Sequence, residues 1–202
     1  MRVSSSRGAL PVFLSAVVRR PKVIGALIPS SPALARRLAA VVPSTESPVV
    51  VELGAGTGAV STAIARRMPE SGRHVAVELD GELAAHLQEA FPRIDVAHAN
   101  AIHLDTVLAE RGLDSVDAVV GGLPWSLIGP PQQQRILDHV AKVLAPNGAF
   151  TTFAYLHALP LGGARSFREL LEATFDEVLP TRVVWRNFPP ALTYVCRRPH
   201  RS

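Results

Sequence analysis

Between residues 46 and 155, short β-branched runs take turns with longer segments whose apolar residues recur every three or four positions. The runs predict strands over 49–53, 74–78, 94–98, 115–120 and 149–155, and the longer segments predict helices over 59–68, 81–91, 102–111 and 132–144. Continuous apolar strands are buried on both faces, and strict strand–helix alternation implies a parallel sheet covered by helices on either side. Upstream, Leu10, Phe13, Leu14, Val17 and Val18 form the stripe of a helix over 10–20; Pro11 suits its first turn, Arg19-Arg20 its negative end, and Pro21 stops it. Ser31 is the expected N-cap of a second helix that opens at Pro32 and turns Leu34, Leu38, Val41 and Val42 inward. Downstream, Pro146-Asn147-Gly148 reads as a turn, and Ser166-Phe167-Arg168-Glu169 as a capping box opening a helix to Phe175. Two final strands, over 178–185 and 191–197, form a hairpin about Arg186-Asn187-Phe188-Pro189-Pro190. The expected fold is α/β: a seven-stranded, mostly parallel sheet with a C-terminal antiparallel hairpin, preceded by N-terminal lid helices. A single domain is expected, with 1–45 forming the amphipathic and lid helices and 46–202 the ligand-binding body.

Chemistry in such a sheet gathers beyond the carboxyl ends of the strands. The first strand stops at Glu52 and enters Gly54-Ala55-Gly56-Thr57-Gly58, and the second ends in a carboxylate, Glu78, twenty residues after Gly58. Small residues let the backbone approach a ligand closely, and the following helix N-terminus offers free N–H groups. A carboxylate at Glu78 can accept both hydroxyls of a ribose, which suits adenosine as well as NAD. Dinucleotide folds favour G-x-G-x-x-G; the spacing here is G-x-G-x-G. It resembles motif I of class I S-adenosyl-L-methionine (SAM) methyltransferases, E/D-x-G-x-G-x-G, which are Rossmann-like. That resemblance implies SAM as cofactor, held by Ser31, Glu52, Gly54, Gly56, Gly58 and Glu78, with Leu79 beside the last. The third strand ends at His98-Ala99-Asn100-Ala101. In similar enzymes a polar side chain at this point accepts from the adenine amino group, which Asn100 can do through its amide oxygen, with Ala101 next to it.

The fourth strand ends at Gly121-Gly122-Leu123-Pro124-Trp125. This resembles the [N/D/S]-[L/P]-P-[Y/F/W] motif of amino-group methyltransferases. The motif implies that the carbonyls before Pro124 hold the target nitrogen and that the ring of Trp125 stacks on the substrate. Here Gly122 stands where the motif has a polar residue. A flipped adenine needs partners along its Watson–Crick edge as well as stacking, whereas an alkylamine needs only an acceptor and an aromatic face. Tyr155 and His157, after the fifth strand, are the remaining catalytic candidates. A primary ammonium, with a pKa near about 10, must lose a proton before it attacks, and an imidazole is suited to take it. Ser30, Leu123, Pro124, Arg186 and Asn187 are the candidate substrate contacts, Arg186 as a phosphate clamp or as a solvated turn residue.

Charge adds a second pattern. Residues 1–45 carry seven basic residues and no acid, and 180–202 carry five, again with no acid. The middle holds nine basic residues against all seventeen acids. Basic ends on an acidic body point to a local anionic partner, phosphate backbone or lipid head groups. The helix over 10–20 has the character of an interfacial helix, with an apolar stripe, a basic end and no acid. Although 48% of residues are hydrophobic, no uncharged run reads as a membrane span. No signal-peptide cleavage site follows 10–18, and the only cysteine, Cys196, fits a reducing compartment; a cytoplasmic location is expected. No metal-ligand cluster is visible.

Taken with Phe13-Leu14, Gly25-Ala26-Leu27-Ile28-Pro29-Ser30-Ser31 and Asn187-Phe188-Pro189-Pro190-Ala191, these motifs resemble the small bacterial phospholipid N-methyltransferases, relatives of the rRNA adenine dimethyltransferases. The resemblance implies methyl transfer from SAM to the head-group amine of phosphatidylethanolamine, towards phosphatidylcholine. It also implies docking of the N-terminal helix at the inner face of the cell membrane. Two other functions remain open: an RNA adenine N6-methyltransferase, whose binding weakens steeply with salt, and a non-catalytic module that binds an adenosyl ligand. The number of methyl groups added and the oligomeric state are not encoded in any motif.

Overall fold

In the computed structural model, which describes residues 30–200, the apolar runs become strands β1 (Val49–Leu53), β2 (Arg73–Glu78), β3 (Asp95–His98), β4 (Val116–Gly121) and β5 (Leu144–Tyr155), followed by β6 (Phe175–Pro180) and β7 (Ala191–Pro199). The helices are α1 (Pro32–Leu38), α2 (Ala59–Ala65), α3 (Gly81–Ala90), α4 (Leu104–Ala109), α5 (Pro130–Val143) and α6 (Gly162–Thr174). One seven-stranded sheet has the order β3-β2-β1-β4-β5-β7-β6. β1 pairs in parallel with both β2 and β4, Leu53 lying opposite Val77 and Gly121. The chain works outward to β3 and then returns to β4, so the crevice of the fold opens at the tip of β1. β7 runs antiparallel between β5 and β6.

Alternation along β1 divides the core. Val51 and Leu53 face a cluster with Leu104, Leu108, Ile136, Leu137, Phe167 and Leu171. Val50 faces Leu34, Leu38 and Ile64 of α1 and α2. Ala76 and Val96 receive Leu87 of α3. Each fully buried Leu or Phe of this kind contributes roughly 1.5–3 kcal/mol. The N-terminus of α1 follows the expected cap: the Ser31 hydroxyl accepts from the Leu34 N–H at 3.2 Å, and Pro32 opens the helix.

Some boundaries differ from expectation. α5 begins two residues early because Pro130 and Pro131 occupy first-turn positions whose N–H groups have no helical partner in any case. Pro146-Asn147-Gly148 is not a turn ahead of β5 but an irregularity within it. Val116 pairs with Leu144 and Ala118 with Ala149, so five residues oppose two and the excess bulges outward. α6 starts at Gly162, which places the expected capping box inside the helix; Phe167 and Leu171 are buried, and their packing sets its extent. β6 ends at Pro180 rather than 185. The Thr181 N–H still donates to the Thr193 carbonyl at 2.8 Å, after which the chain leaves the sheet and touches it again at a bridge between Val184 and Ala191. The expected helix over 10–20 and the segment 25–29 lie outside the described residues. Among the described residues no helix is long and apolar enough to cross a membrane.

Candidate active site

The loop leaving β1 is held on both sides by continuing the parallel ladder. Gly54 N–H donates to Val77 C=O at 2.8 Å, and Gly122 N–H donates to Leu53 C=O at 2.8 Å. Gly54, Gly56 and Gly58 all have positive φ, at 72°, 56° and 84°, a region that excludes most side chains. At Gly56 nothing lies within 4 Å of where a Cβ would stand. The backbone there is therefore bare on its open side, a cradle that a ligand can approach directly. Gly58 then caps α2 without a side chain.

Glu78 closes the other wall. It is 8% exposed. One carboxylate oxygen accepts from the Gly56 N–H at 2.8 Å and the other from the Asp80 N–H at 2.9 Å. Burial pushes its pKa above the ordinary carboxylate value, and the bonds from Asp80 and Gly56 oppose that rise. Each oxygen keeps a second lone pair, so the carboxylate can accept two ribose hydroxyls while still organising the loop. Asp80 in turn caps α3, accepting from the N–H groups of Glu82 and Leu83. Leu79 is 61% exposed beside it, a flat apolar wall for a purine. Asn100 accepts from the Ile102 N–H at 3.1 Å, which fixes the amide at the exit of β3. The Ala101 methyl is buried in the main core, so only its main chain is available to a ligand.

Glu52 is a different case. Expected at the cofactor, it is instead fully buried beneath the loop, because strand alternation turns it towards α2. One oxygen accepts from the Ser61 hydroxyl at 2.7 Å and lies 3.0 Å from His74 Nε2. It anchors the helix that follows the glycine turn and acts on a ligand only through that helix.

The acceptor side also departs from the sequence reading. Trp125 was expected to stack on the substrate, yet it is 5% exposed. Its ring stacks on Phe167 at 4.5 Å, its indole N–H donates to the Thr152 hydroxyl at 2.6 Å, and its C=O accepts from the Gln133 amide at 2.8 Å. An amphipathic α6 gives the ring a better partner than solvent. Trp125→Ala is expected to destabilise the fold by about 3–5 kcal/mol, the usual cost of truncating a buried aromatic; urea denaturation would measure it. Gly122 lacks a side chain for a steric reason: a Cβ there would stand 2.8 Å from the Gly54 carbonyl oxygen. Leu123 packs against the same loop, its Cδ2 2.9 Å from where a Gly54 Cβ would be, and Pro124 is half-buried behind it.

Tyr155 and His157 do come together, their rings stacked at 5.7 Å and 18°. Tyr155 is half-buried, which raises its phenol pKa, while His157 is exposed at the rim. Asn187, expected to touch substrate, is a joint. Its amide oxygen accepts from the Ser31 N–H at 2.9 Å and its amide nitrogen donates to Pro189 C=O at 2.7 Å. The two narrow motifs, 156 positions apart, thus meet beside Ser30. Asn187→Leu should free α1 from the loop: with Ser31 N–H left unpaired, a loss of about 1–3 kcal/mol is expected, read as early hydrogen exchange across residues 30–38. Arg186 is exposed and lines a groove with Arg36, Arg37 and Trp185. Thr152, the partner of Trp125, went unnoticed in the sequence, since a Thr within a strand gives no signal of its own. Among the described residues no group of His, Cys, Asp or Glu is placed to hold a metal ion.

The cradle at Gly56, the ribose-ready carboxylate of Glu78 and the wall at Leu79 fit an adenosyl cofactor. Comparison with known proteins agrees. The family described as "Methyltransferase domain" matches residues 50–148. An ornithine lipid N-methyltransferase of Singulisphaera acidiphila is 38% identical over 92% of this chain and 94% of its own. A ribosomal RNA small subunit methyltransferase A of a Burkholderia species is 33% identical, over 47% of this chain and 34% of its own. Among solved structures, an O-methyltransferase of Bacillus cereus in complex with SAH shares the fold, with TM-score 0.70 and 16% identity over 95% of this chain and 90% of that one. S-adenosyl-L-methionine is the cofactor. The chain belongs to the class I SAM-dependent methyltransferases, in the family that includes the ornithine lipid N-methyltransferase.

Proposed function

We propose that this enzyme methylates the head-group amine of a membrane lipid. The observation that carries the reading is the acceptor end of the crevice. Gly122 has no room for a side chain and Trp125 is sealed in the core, so the segment Gly122–Trp125 supplies neither a side chain to read a base edge nor a ring to stack on it. A small, flexible amine needs less. The relative in S. acidiphila favours ornithine lipid as the acceptor, and the motif resemblance favours phosphatidylethanolamine; both present a primary amine. In this reading the protein sits at the inner membrane face, held by its basic ends and the segment 10–20.

SAM supplies a methyl group on an electrophilic sulfonium. The protein positions the amine in line with it, which is worth several kcal/mol of the barrier. The main chain at Gly122 accepts from the amine N–H. Tyr155, its phenol pKa raised by burial, stays neutral and offers a hydrogen bond rather than a charge. His157, exposed against the Tyr155 ring, takes the proton out to solvent. His157→Ala is expected to lower kcat at pH 7 by about 100-fold, with the deficit narrowing as the pH approaches the pKa of the amine, about 10.

The deciding experiment incubates the enzyme and labelled SAM with liposomes of phosphatidylethanolamine, liposomes of ornithine lipid, and ribosomal RNA in parallel. Label in either lipid supports the reading and chooses between the two acceptors. Label in RNA alone overturns it.

A further inference from the structure

The two ends of the sheet differ in surface chemistry. Among the described residues six large apolar side chains are exposed: Leu79, Leu127, Leu161, Leu179, Trp185 and Phe188. Leu79 follows β2, Leu127 follows β4, Leu161 follows β5, Leu179 is the penultimate residue of β6, and Trp185 and Phe188 lie between β6 and β7. β5 and β6 both run antiparallel to β7 and hence parallel to each other. All six therefore lie at the carboxyl end of the sheet, the end at which the crevice opens. The opposite end carries ion pairs instead: Arg73 and Arg111 with Asp95, His200 with Asp176, and Arg197 and Arg198 with Glu177.

The most exposed of the six are Trp185 at 71% and Phe188 at 82%; Trp185 lines a groove of about 570 Å³ together with Arg36, Arg37 and Arg186, and Phe188 follows two residues after Arg186. No acidic residue occurs in 30–45 or 180–202. Aromatic rings next to unopposed guanidinium groups are the chemistry of a bilayer interface: the rings enter the head-group region and the cations meet phosphate.

We propose that the connection between β6 and β7 is a membrane-insertion loop for an anionic leaflet. Trp185 and Phe188 enter the interface, Arg36, Arg37 and Arg186 hold lipid phosphates, and the carboxyl rim with its crevice faces the bilayer. This rests on the lipid-acceptor reading, but the docking can be tested without methyl transfer. Trp125 and Trp185 are the two tryptophans, one buried and one exposed, so emission from the second reports on the loop.

The full chain is mixed with vesicles of phosphatidylglycerol and phosphatidylcholine that carry brominated acyl chains and no primary amine. Trp185 emission should shift to the blue and be quenched. Trp185→Phe should abolish the quenching, and Trp185→Ala with Phe188→Ala should weaken vesicle binding at least tenfold. Arg36→Glu with Arg37→Glu should flatten its salt dependence. Absence of quenching, quenching that survives in Trp185→Phe, or unchanged binding by the double alanine variant overturns the proposal. So does a Trp185 already shielded from acrylamide without vesicles. Quenched binding without methylation of any amine lipid upholds this loop and fells the lipid-acceptor reading; methylation of amine lipid in detergent micelles by a chain that fails the quenching test does the reverse.

Discussion

Replacing Glu78 by Gln will weaken binding of S-adenosylhomocysteine by about 100-fold or more. Two donors, the N–H groups of Gly56 and Asp80, point at the two carboxylate oxygens. Gln offers one oxygen and one NH₂, so one of the two donors is left facing another donor. A hydrogen bond to a charged group is worth about 1.5–3 kcal/mol. Losing the charge under two ribose hydroxyls, with a misplaced loop in addition, passes the roughly 2.7 kcal/mol that corresponds to 100-fold. Glu78→Ala should be similar, and Glu78→Asp, whose shorter arm reaches one donor, intermediate. Isothermal titration would rank them; equal affinity in all four proteins would mean that the ribose lies elsewhere.

The same residue sets a pH dependence. Burial raises its pKa in the folded chain, so its contribution to stability is complete below the unfolded carboxylate pKa and is lost as pH rises through the raised value. Cofactor binding has the opposite slope, because only the ionised form accepts from both hydroxyls. Affinity should therefore fall as pH drops through a value above the usual carboxylate range, while the unliganded protein gains from this group over the same interval. In Glu78→Ala both slopes should flatten.

Gly122→Asn, which restores the polar residue of related motifs, is expected to lose activity rather than gain specificity. The new Cβ would meet the Gly54 carbonyl oxygen at 2.8 Å and the Leu53 carbonyl oxygen at 3.4 Å. Both are backbone atoms, and their segment is pinned by ladder bonds to the Leu53 carbonyl and from the Gly54 N–H, so it has little room to swing aside. Overpacking of this kind costs about 1–3 kcal/mol, and the atom that must move belongs to the cofactor loop. A lowered melting temperature together with weakened S-adenosylhomocysteine binding is expected; an unchanged affinity would show that the loop tolerates the shift.

The strand–helix rhythm made the sheet legible, because parallel strands buried on both faces read as unbroken runs such as Val49-Val50-Val51. The glycine turn and Glu78 were legible for the same reason: their roles depend on backbone shape and on position at a strand end. Residues whose role depends on facing were not. Glu52 sits in the motif, but a period of two turns it under the loop. Trp125 follows the motif pattern, yet its environment is set by Phe167, 42 positions later, which no local pattern announces. Asn187 reads as a ligand in the sequence because its partner, the Ser31 N–H, lies 156 positions away. Helix α6 was misplaced because a capping-box spelling at Ser166 carries less energy than burying Phe167 and Leu171.

β7 comes after β6 in the described chain, yet it lies between β5 and β6. Until it is in place the sheet has a gap between β5 and β6, and the joint between Asn187 and Ser31 has no floor until residues 191–199 slot home. Damage to β7 should therefore remove an interior plank rather than trim an edge.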